Sequence, residues 1–213
     1  MLEIQNLRDA QNHLLQKQVV IFDMDDTLYS ETDYVRSGYE EIARHFPEIE
    51  NMAAKLWDAF ESGKQAINYV LEQEGLLSDD AVQQALSIYR NQQPRISLYP
   101  AAKDLLTTLK SNGIRLGMIT DGRPEGQRAK IAALGIEEYF EKIIITDELG
   151  GVSMRKPNPA AFQMMQAHFS VPYSEMVYIG DNPKKDFIAP DALGMDSIYF
   201  RNSAGLYSTK VSV

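Results

Sequence analysis

Short apolar runs that end in polar residues alternate along most of the chain with longer stretches of helical periodicity. The first run, Val19–Phe22, is apolar throughout and is followed at once by Asp23. A strand covered on both faces of a parallel sheet has this composition. The pattern therefore predicts a buried strand at residues 19–22. Further strands are predicted at four later runs: Arg115–Ile119, Lys142–Ile145, Met176–Ile179 and Asp196–Phe200.

Helical periodicity fills the segments between the later runs. It predicts a helix from Pro100 to a cap at Gly113, then helices over about 124–134 and 159–169 and one that ends near Gly194. Strands that alternate with helices at this spacing form right-handed βαβ units and a parallel sheet. We therefore predict an α/β fold with a Rossmann-like parallel sheet at its core.

Two segments depart from this alternation. Residues 1–18 are polar and have no apolar signal-peptide core, and we predict a short lead-in helix with Leu2, Leu7, Leu14 and Leu15 available for packing. Residues 30–96 are helical in pattern and contain no strand signal. We predict that they form a small all-helical domain inserted after the first strand, and that residues 1–29 and 97–213 form the core domain.

Composition narrows the classes of function. The chain has 213 residues, which suits one sizeable domain with a small insert, and a formal net charge of −9, which disfavours binding to a nucleic-acid backbone. It contains no cysteine, so disulfides and thiol nucleophiles are excluded. It has no apolar run of about 18 residues, the length that spans a membrane. We expect a cytoplasmic protein with neither a nucleic-acid nor a membrane partner, and no feature indicates an oligomeric state.

Polar residues follow three of the predicted strands directly. Asp23, Asp25 and Asp26 come after the first, Thr120 and Asp121 after the second, and Asp181 after the fourth. In open α/β sheets, ligands bind beyond the carboxyl ends of the strands. The sequence therefore places its candidate chemistry at the edge where a ligand site is expected.

Four segments at these strand ends and loops resemble, in order, the signature segments of the haloacid dehalogenase superfamily. They are Asp23-Met24-Asp25-Asp26-Thr27-Leu28, Ile119-Thr120-Asp121-Gly122, Arg155-Lys156-Pro157-Asn158-Pro159 and the run from Gly180-Asp181 to Asp186. The first segment alone is equally consistent with a polar turn. All four in order are highly specific, and the resemblance covers about residues 19–200. It implies that the helical insert is a cap domain.

The resemblance implies a magnesium-dependent phosphatase. The Asp23 and Asp181 carboxylates and the backbone carbonyl of Asp25 would bind Mg²⁺, which prefers oxygen ligands. Asp23 would attack phosphorus to form an aspartyl-phosphate. Asp25 would be the general acid and then the general base, a role that requires a pKa above about 3.9. We expect crowding by carboxylates and partial burial to raise the pKa of Asp25.

The remaining predicted site residues bind the phosphoryl group or orient other groups of the site. Thr120 and Lys156 would hold the phosphoryl group, and Asp186 would orient Lys156 or a metal-bound water. Two positions depart from the commoner family pattern. Asp26 stands where many relatives have Gly, and could be a supporting hydrogen-bonding residue or a helix cap. Asp121, which like Arg123 is a candidate for substrate binding, stands in place of the commoner Asn. It adds a negative charge beside the phosphate site unless Arg123 pairs with it.

The predicted substrate is a small phosphorylated metabolite, such as a sugar phosphate or a mononucleotide. Three alternatives use the same fold. A phosphomutase would use the same residues and return the phosphoryl group to its sugar. A dehalogenase would need no metal and would lack the acid at Asp25, and a non-catalytic scaffold could lose the nucleophile or the acid. Every key residue is present, which favours the phosphatase.

Overall fold

The computed structural model describes residues 1–206, and residues 207–213, which were assigned to the core domain, lie outside the described residues. The described chain contains a six-stranded sheet. Its strands are β1 (Leu2–Ile4), β2 (Val19–Phe22), β3 (Arg115–Thr120), β4 (Lys142–Ile145), β5 (Met176–Gly180) and β6 (Asp196–Phe200). The strand order is β1-β6-β5-β2-β3-β4 and every neighbouring pair is parallel, so the prediction of a Rossmann-like parallel sheet is confirmed.

The helices connect these strands and also form the long insert. They are α1 (Gln11–Leu14), α2 (Glu31–His45), α3 (Met52–Glu61), α4 (Ala66–Gln73), α5 (Asp79–Arg90), α6 (Pro100–Ser111), α7 (Pro124–Leu134), α8 (Ala160–Phe169) and α9 (Ile188–Leu193). Short 3₁₀ helices occupy Leu7–Ala10, Glu137–Tyr139, Thr146–Leu149, Val152–Met154 and Tyr173–Glu175. No helix among residues 1–206 is both long enough and apolar enough to cross a membrane.

The prediction of a lead-in helix was wrong at its start. Leu2–Ile4 is a strand at the edge of the sheet, and Leu2 lies in register with Ile198 of β6. Helical structure begins only with the 3₁₀ turn at Leu7 and continues in α1. Three residues beside a polar stretch carry too little periodicity to indicate a strand, and the ladder to β6 determines the conformation.

One face of the sheet packs against α8 and α9. The core there contains Ile21 of β2, Tyr178 of β5 and Phe162 of α8, all fully buried. Gly117 of β3 allows a close approach, because a Cβ atom at this position would lie 3.0 Å from the sulfur of Met165. This packing holds the central strands, and β2 lies between β5 and β3.

The chain divides into two compact units. One consists of Met1–Glu31 and the chain from Ser97 onward, and it contains the sheet. The other is Thr32–Ile96, which is built from helices. Inside the helical unit, Tyr34, Tyr39 and Tyr89 form an aromatic cluster, and Gly38 of α2 packs directly against the ring of Tyr89.

Candidate active site

The loop after β2 carries Asp23 and Asp25 and turns sharply at Asp26. The amide of Asp23 donates to the Ile179 carbonyl at 2.8 Å, so this residue extends the strand. Asp26 has a positive φ of 52° and is almost fully buried. Its carboxylate accepts hydrogen bonds from the backbone amides of Glu31, at 2.9 Å, and Leu206, at 2.7 Å. The left-handed backbone conformation is most favourable for Gly, and Asp adopts it when its side chain makes local hydrogen bonds such as these.

Lys156 is the centre of a buried charge cluster. Its ammonium lies 2.7 Å from Oδ1 of Asp23 and 2.9 Å from Oδ1 of Asp186, and it is 2.8 Å from the hydroxyl of Tyr178. Burial acts to lower the pKa of Lys156, but the carboxylates of Asp186 and Asp23 outweigh it and hold that pKa well above its ordinary value. The lysine is therefore positively charged and fixed beside Asp23.

Three carboxylates converge next to Lys156. One oxygen from each of Asp23, Asp181 and Asp186 lies within 4.8 Å of the others. Burial and the neighbouring carboxylates raise the pKa of Asp181 to about 9; burial also raises the pKa of Asp23 to about 7, although Lys156 opposes the rise. Such a set of acidic oxygens suits a hard divalent cation, which would favour the ionised forms. Asp23 and Asp181, which were predicted to bind metal, are in this cluster, and so is Asp186, which was predicted only to orient Lys156 or a metal-bound water.

The Asp25 side chain faces a different group of residues. Its Oδ1 accepts from the Lys130 ammonium at 2.7 Å and from the Tyr29 hydroxyl, and its Oδ2 accepts from Gln127 at 2.9 Å. Burial acts to raise the pKa of Asp25, but Lys130 and these hydrogen bonds hold it below its ordinary value. The prediction of a raised pKa was therefore wrong, because the Lys130 cation and these hydrogen bonds outweigh the effect of burial.

The turn after β3 places Thr120 and Asp121 at the same edge of the sheet. The Thr120 hydroxyl contacts the side-chain amide of Gln127. Asp121 accepts from the Thr146 hydroxyl at 2.9 Å, from the Lys156 amide at 3.0 Å and from the Lys185 ammonium at 2.7 Å. Burial opposes ionisation of Asp121, but Lys156 and Lys185 hold its pKa below the ordinary value. Lys185 thus pairs with Asp121 and balances its negative charge, a role for which Arg123 was considered.

These groups surround a cavity of about 430 Å³. This volume lies in the usual range for small-molecule sites. The lining residues are Asp23, Asp25, Glu31, Asp121, Gly122, Gln127, Lys130, Arg155, Lys156, Asp181, Asn182 and Lys185. Arg123 is exposed and does not appear among the residues that line this cavity in the described chain, whereas Arg155 and Lys185 supply cations there.

The sequence of the chain matches a known protein family. Residues 20–200 match the profile of the haloacid dehalogenase-like hydrolases. The chain belongs to this family.

Relatives of the chain include several phosphatases. The glyceraldehyde 3-phosphate phosphatase of Pyrococcus abyssi is 31% identical over 196 residues, which cover 86% of this chain and 81% of the relative. The phosphoserine phosphatase of Thermus thermophilus is 31% identical over 129 residues, covering 61% of this chain and 50% of that protein. Among solved structures, the HAD-hydrolase YfnB of Bacillus subtilis bound to magnesium has a TM-score of 0.64 at 20% identity, with 86% of each chain covered.

Several residues of this haloacid dehalogenase-like site were not identified from the sequence. Tyr178 contacts Lys156, Lys185 pairs with Asp121, and Gln127 and Lys130 contact Asp25. One signal was available for the last two. They lie three residues apart on the helix that follows the Thr120 turn, so they share one face of that helix.

Proposed function

We propose that this chain is a magnesium-dependent phosphatase that acts on a small phosphorylated metabolite through an aspartyl-phosphate on Asp23. The observation that carries the proposal is the buried cluster in which Lys156 contacts both Asp23 and Asp186 beside Asp181. It combines an acidic oxygen set for a divalent cation with a fixed positive charge beside the nucleophile. Those are the two requirements for bringing a phosphate dianion to a carboxylate.

In the first half-reaction, a carboxylate oxygen of Asp23 attacks phosphorus and the bond from phosphorus to the leaving oxygen breaks. Lys156 donates a hydrogen bond to Oδ1 of Asp23 at 2.7 Å, which fixes the orientation of the carboxylate. Asp25 transfers a proton to the leaving oxygen; because its pKa is held low beside Lys130, this step requires the negative charge of the bound phosphate to raise that pKa. Thr120 and Lys156 bind the phosphoryl oxygens, whose negative charge Lys156 stabilises.

In the second half-reaction, water attacks phosphorus and the bond to the Asp23 oxygen breaks. Asp25 accepts the proton of that water, which restores its protonated form, and the products are inorganic phosphate and the free Asp23 carboxylate. Asp23, Asp181 and the backbone carbonyl of Asp25 would hold the magnesium ion, and Asp186 would orient Lys156. When bound, the ion supplies charge neutralisation and Lewis acidity at the phosphoryl oxygens.

Two considerations support a small substrate. The cavity volume of about 430 Å³ suits a small molecule. The phosphatases to which the chain is similar are named for glyceraldehyde 3-phosphate and phosphoserine. We therefore propose a short-chain phosphate, within the range of sugar phosphates and mononucleotides, as the substrate, and we propose that the helical unit Thr32–Ile96 acts as the cap that selects it.

The proposal is tested by phosphate release from p-nitrophenyl phosphate and from a panel of triose, sugar, amino-acid and nucleoside phosphates, with Mg²⁺ and with EDTA. Turnover should require Mg²⁺ and should disappear in Asp23→Asn. The matched control is Asp104→Asn, which removes the charge of an exposed aspartate that pairs with Arg8. Absence of metal-dependent phosphate release from every compound would refute the proposal, and transfer between sugar positions without phosphate release would favour a phosphomutase.

A further inference from the structure

Helix α7 buries two polar side chains on the face that lines the cavity. Gln127 and Lys130 are three residues apart, and the side chain of Lys130 is only 7% exposed. Burying an ammonium costs several kcal/mol unless a partner compensates. One such partner is Asp25, at 2.7 Å, so the position of Lys130 is coupled to that of the Asp25 carboxylate.

Gln127 joins Asp25 to Thr120. Its side-chain nitrogen donates to Oδ2 of Asp25 at 2.9 Å and also to the Thr120 hydroxyl. A side-chain amide has two hydrogens, so both bonds can form at once. Gly122 leaves room for this arrangement, because a Cβ atom there would lie 3.0 Å from Cδ of Gln127. The amide therefore fixes the separation between Asp25 and the end of β3.

Both carboxylate oxygens of Asp25 consequently accept hydrogen bonds from other side chains of the protein. Lys130 and Tyr29 bind Oδ1, and Gln127 binds Oδ2. A carboxylate held at both oxygens cannot rotate without losing at least one charge-assisted hydrogen bond, and such bonds are about twice as strong as neutral ones. The contacts select one orientation of Asp25 at the cavity wall.

We propose that Lys130 and Gln127 are positioning residues that hold Asp25 within reach of the leaving-group oxygen. This inference rests on the phosphatase function proposed above. A misplacement of a catalytic group by about 1 Å lowers a rate by roughly 10²-fold. Loss of either contact would misplace Asp25 and would therefore slow the proton-transfer step. A residue that acts through Asp25 affects substrates in proportion to their need for a proton on the leaving oxygen.

The test compares two substrates in Lys130→Met and Gln127→Leu. An unactivated alkyl phosphate needs a protonated leaving group, whereas p-nitrophenol leaves readily as its anion. We expect kcat/KM, which reports the steps up to release of the leaving group and not the later hydrolysis of the aspartyl-phosphate, to fall about 10²-fold for the alkyl phosphate and less than about 10-fold for p-nitrophenyl phosphate. Arg128→Met is the control, because Arg128 is exposed on the same helix and pairs with Glu148.

A double-mutant cycle separates positioning from general support of the fold. In an Asp25→Asn background, Lys130→Met should cause little further loss on the alkyl phosphate, because the residue that it positions is already disabled. Additive losses in kcat/KM, or equal losses of kcat/KM on both substrates, would overturn the inference while leaving the phosphatase function intact. If Lys130→Met does not fold, Lys130→Gln and Gln127→Leu provide the same comparison. A wild-type protein that releases no phosphate would overturn both proposals.

Discussion

Replacement of Lys156 by Met is the most informative single change at the site. The substitution keeps a long, flexible side chain and removes the charge. In the native protein the ammonium lies 2.7 Å from Asp23 and 2.9 Å from Asp186, and the side chains of Lys156 and Asp186 are 0% exposed. Removing one partner of a buried ion pair leaves an uncompensated charge and costs about 3–5 kcal/mol.

The expected loss of free energy of unfolding corresponds to a decrease in melting temperature. For a domain of about 150–250 residues, 1 kcal/mol corresponds to about 2–4 °C, so Lys156→Met should melt about 6–20 °C below the wild type. The measurement is thermal unfolding in EDTA, so that no added cation replaces the lost charge. Lys103→Met is the matched control: it removes the charge of an exposed lysine of α6, and its free energy of unfolding should stay within about 0.5 kcal/mol of the wild-type value.

The same variant tests the role of the lysine in turnover. Loss of a preorganised positive charge beside the phosphoryl group should lower kcat by about 10²–10³-fold, measured with Mg²⁺ below the variant's melting temperature. A melting temperature within about 2 °C of wild type would refute the stability argument, because the two carboxylates would then have another source of compensation. Unchanged kcat would refute the proposed contact between Lys156 and the phosphoryl group.

Three further outcomes are expected. Mg²⁺ at about 100 times its dissociation constant should stabilise the wild type by about 2.7 kcal/mol in thermal unfolding, and an equal gain in Asp181→Asn would contradict the assignment of the ion to this cluster. Gly38→Ala should lower the free energy of unfolding in urea by up to about 2 kcal/mol, because overpacking of its Cβ against the Tyr89 ring costs about 1–3 kcal/mol and the gain in helix propensity offsets only about 1 kcal/mol; a raised free energy of unfolding would contradict it. Asp26→Gly should also lower the urea midpoint, because it removes two charged hydrogen bonds of about 1.5–3 kcal/mol each, and this loss outweighs the relief of the positive φ. Asp26→Asn should lower the urea midpoint less.

The sheet was predictable because its central strands are continuous apolar runs. Val19–Phe22 and Met176–Gly180 are fully buried in the structure, and a buried parallel strand needs an apolar residue at nearly every position. The edge strand Leu2–Ile4 has no such requirement, since two of its three residues are exposed. Its conformation depends on pairing with a strand nearly 200 residues away, which local pattern does not record.

The site was predictable as a set of backbone positions, and less so as a set of side-chain partners. The carboxyl ends of β2, β3 and β5 are adjacent, so Asp23, Thr120 and Asp181 had to lie near one another. The partner of Asp25 is Lys130, which is 105 positions away along the chain. The direction of a pKa shift follows from such a partner, and the sign for Asp25 could not be obtained from its neighbours in sequence.

The distribution of charge in the cavity explains why a cation and a phosphate would bind there together. Asp23, Asp25 and Asp121 each have a lysine within 2.7 Å, namely Lys156, Lys130 and Lys185 respectively. Asp181 differs, because among residues 1–206 its side chain takes part in no ion pair and accepts only a 3.4 Å hydrogen bond from Thr27. With a pKa of about 9, Asp181 is mostly protonated near neutral pH when no cation is bound. A divalent cation would favour its ionised form and would leave the wall able to accept a phosphate dianion. In a chain with a net charge of −9, substrate binding should therefore depend on the cation as strongly as the chemistry does.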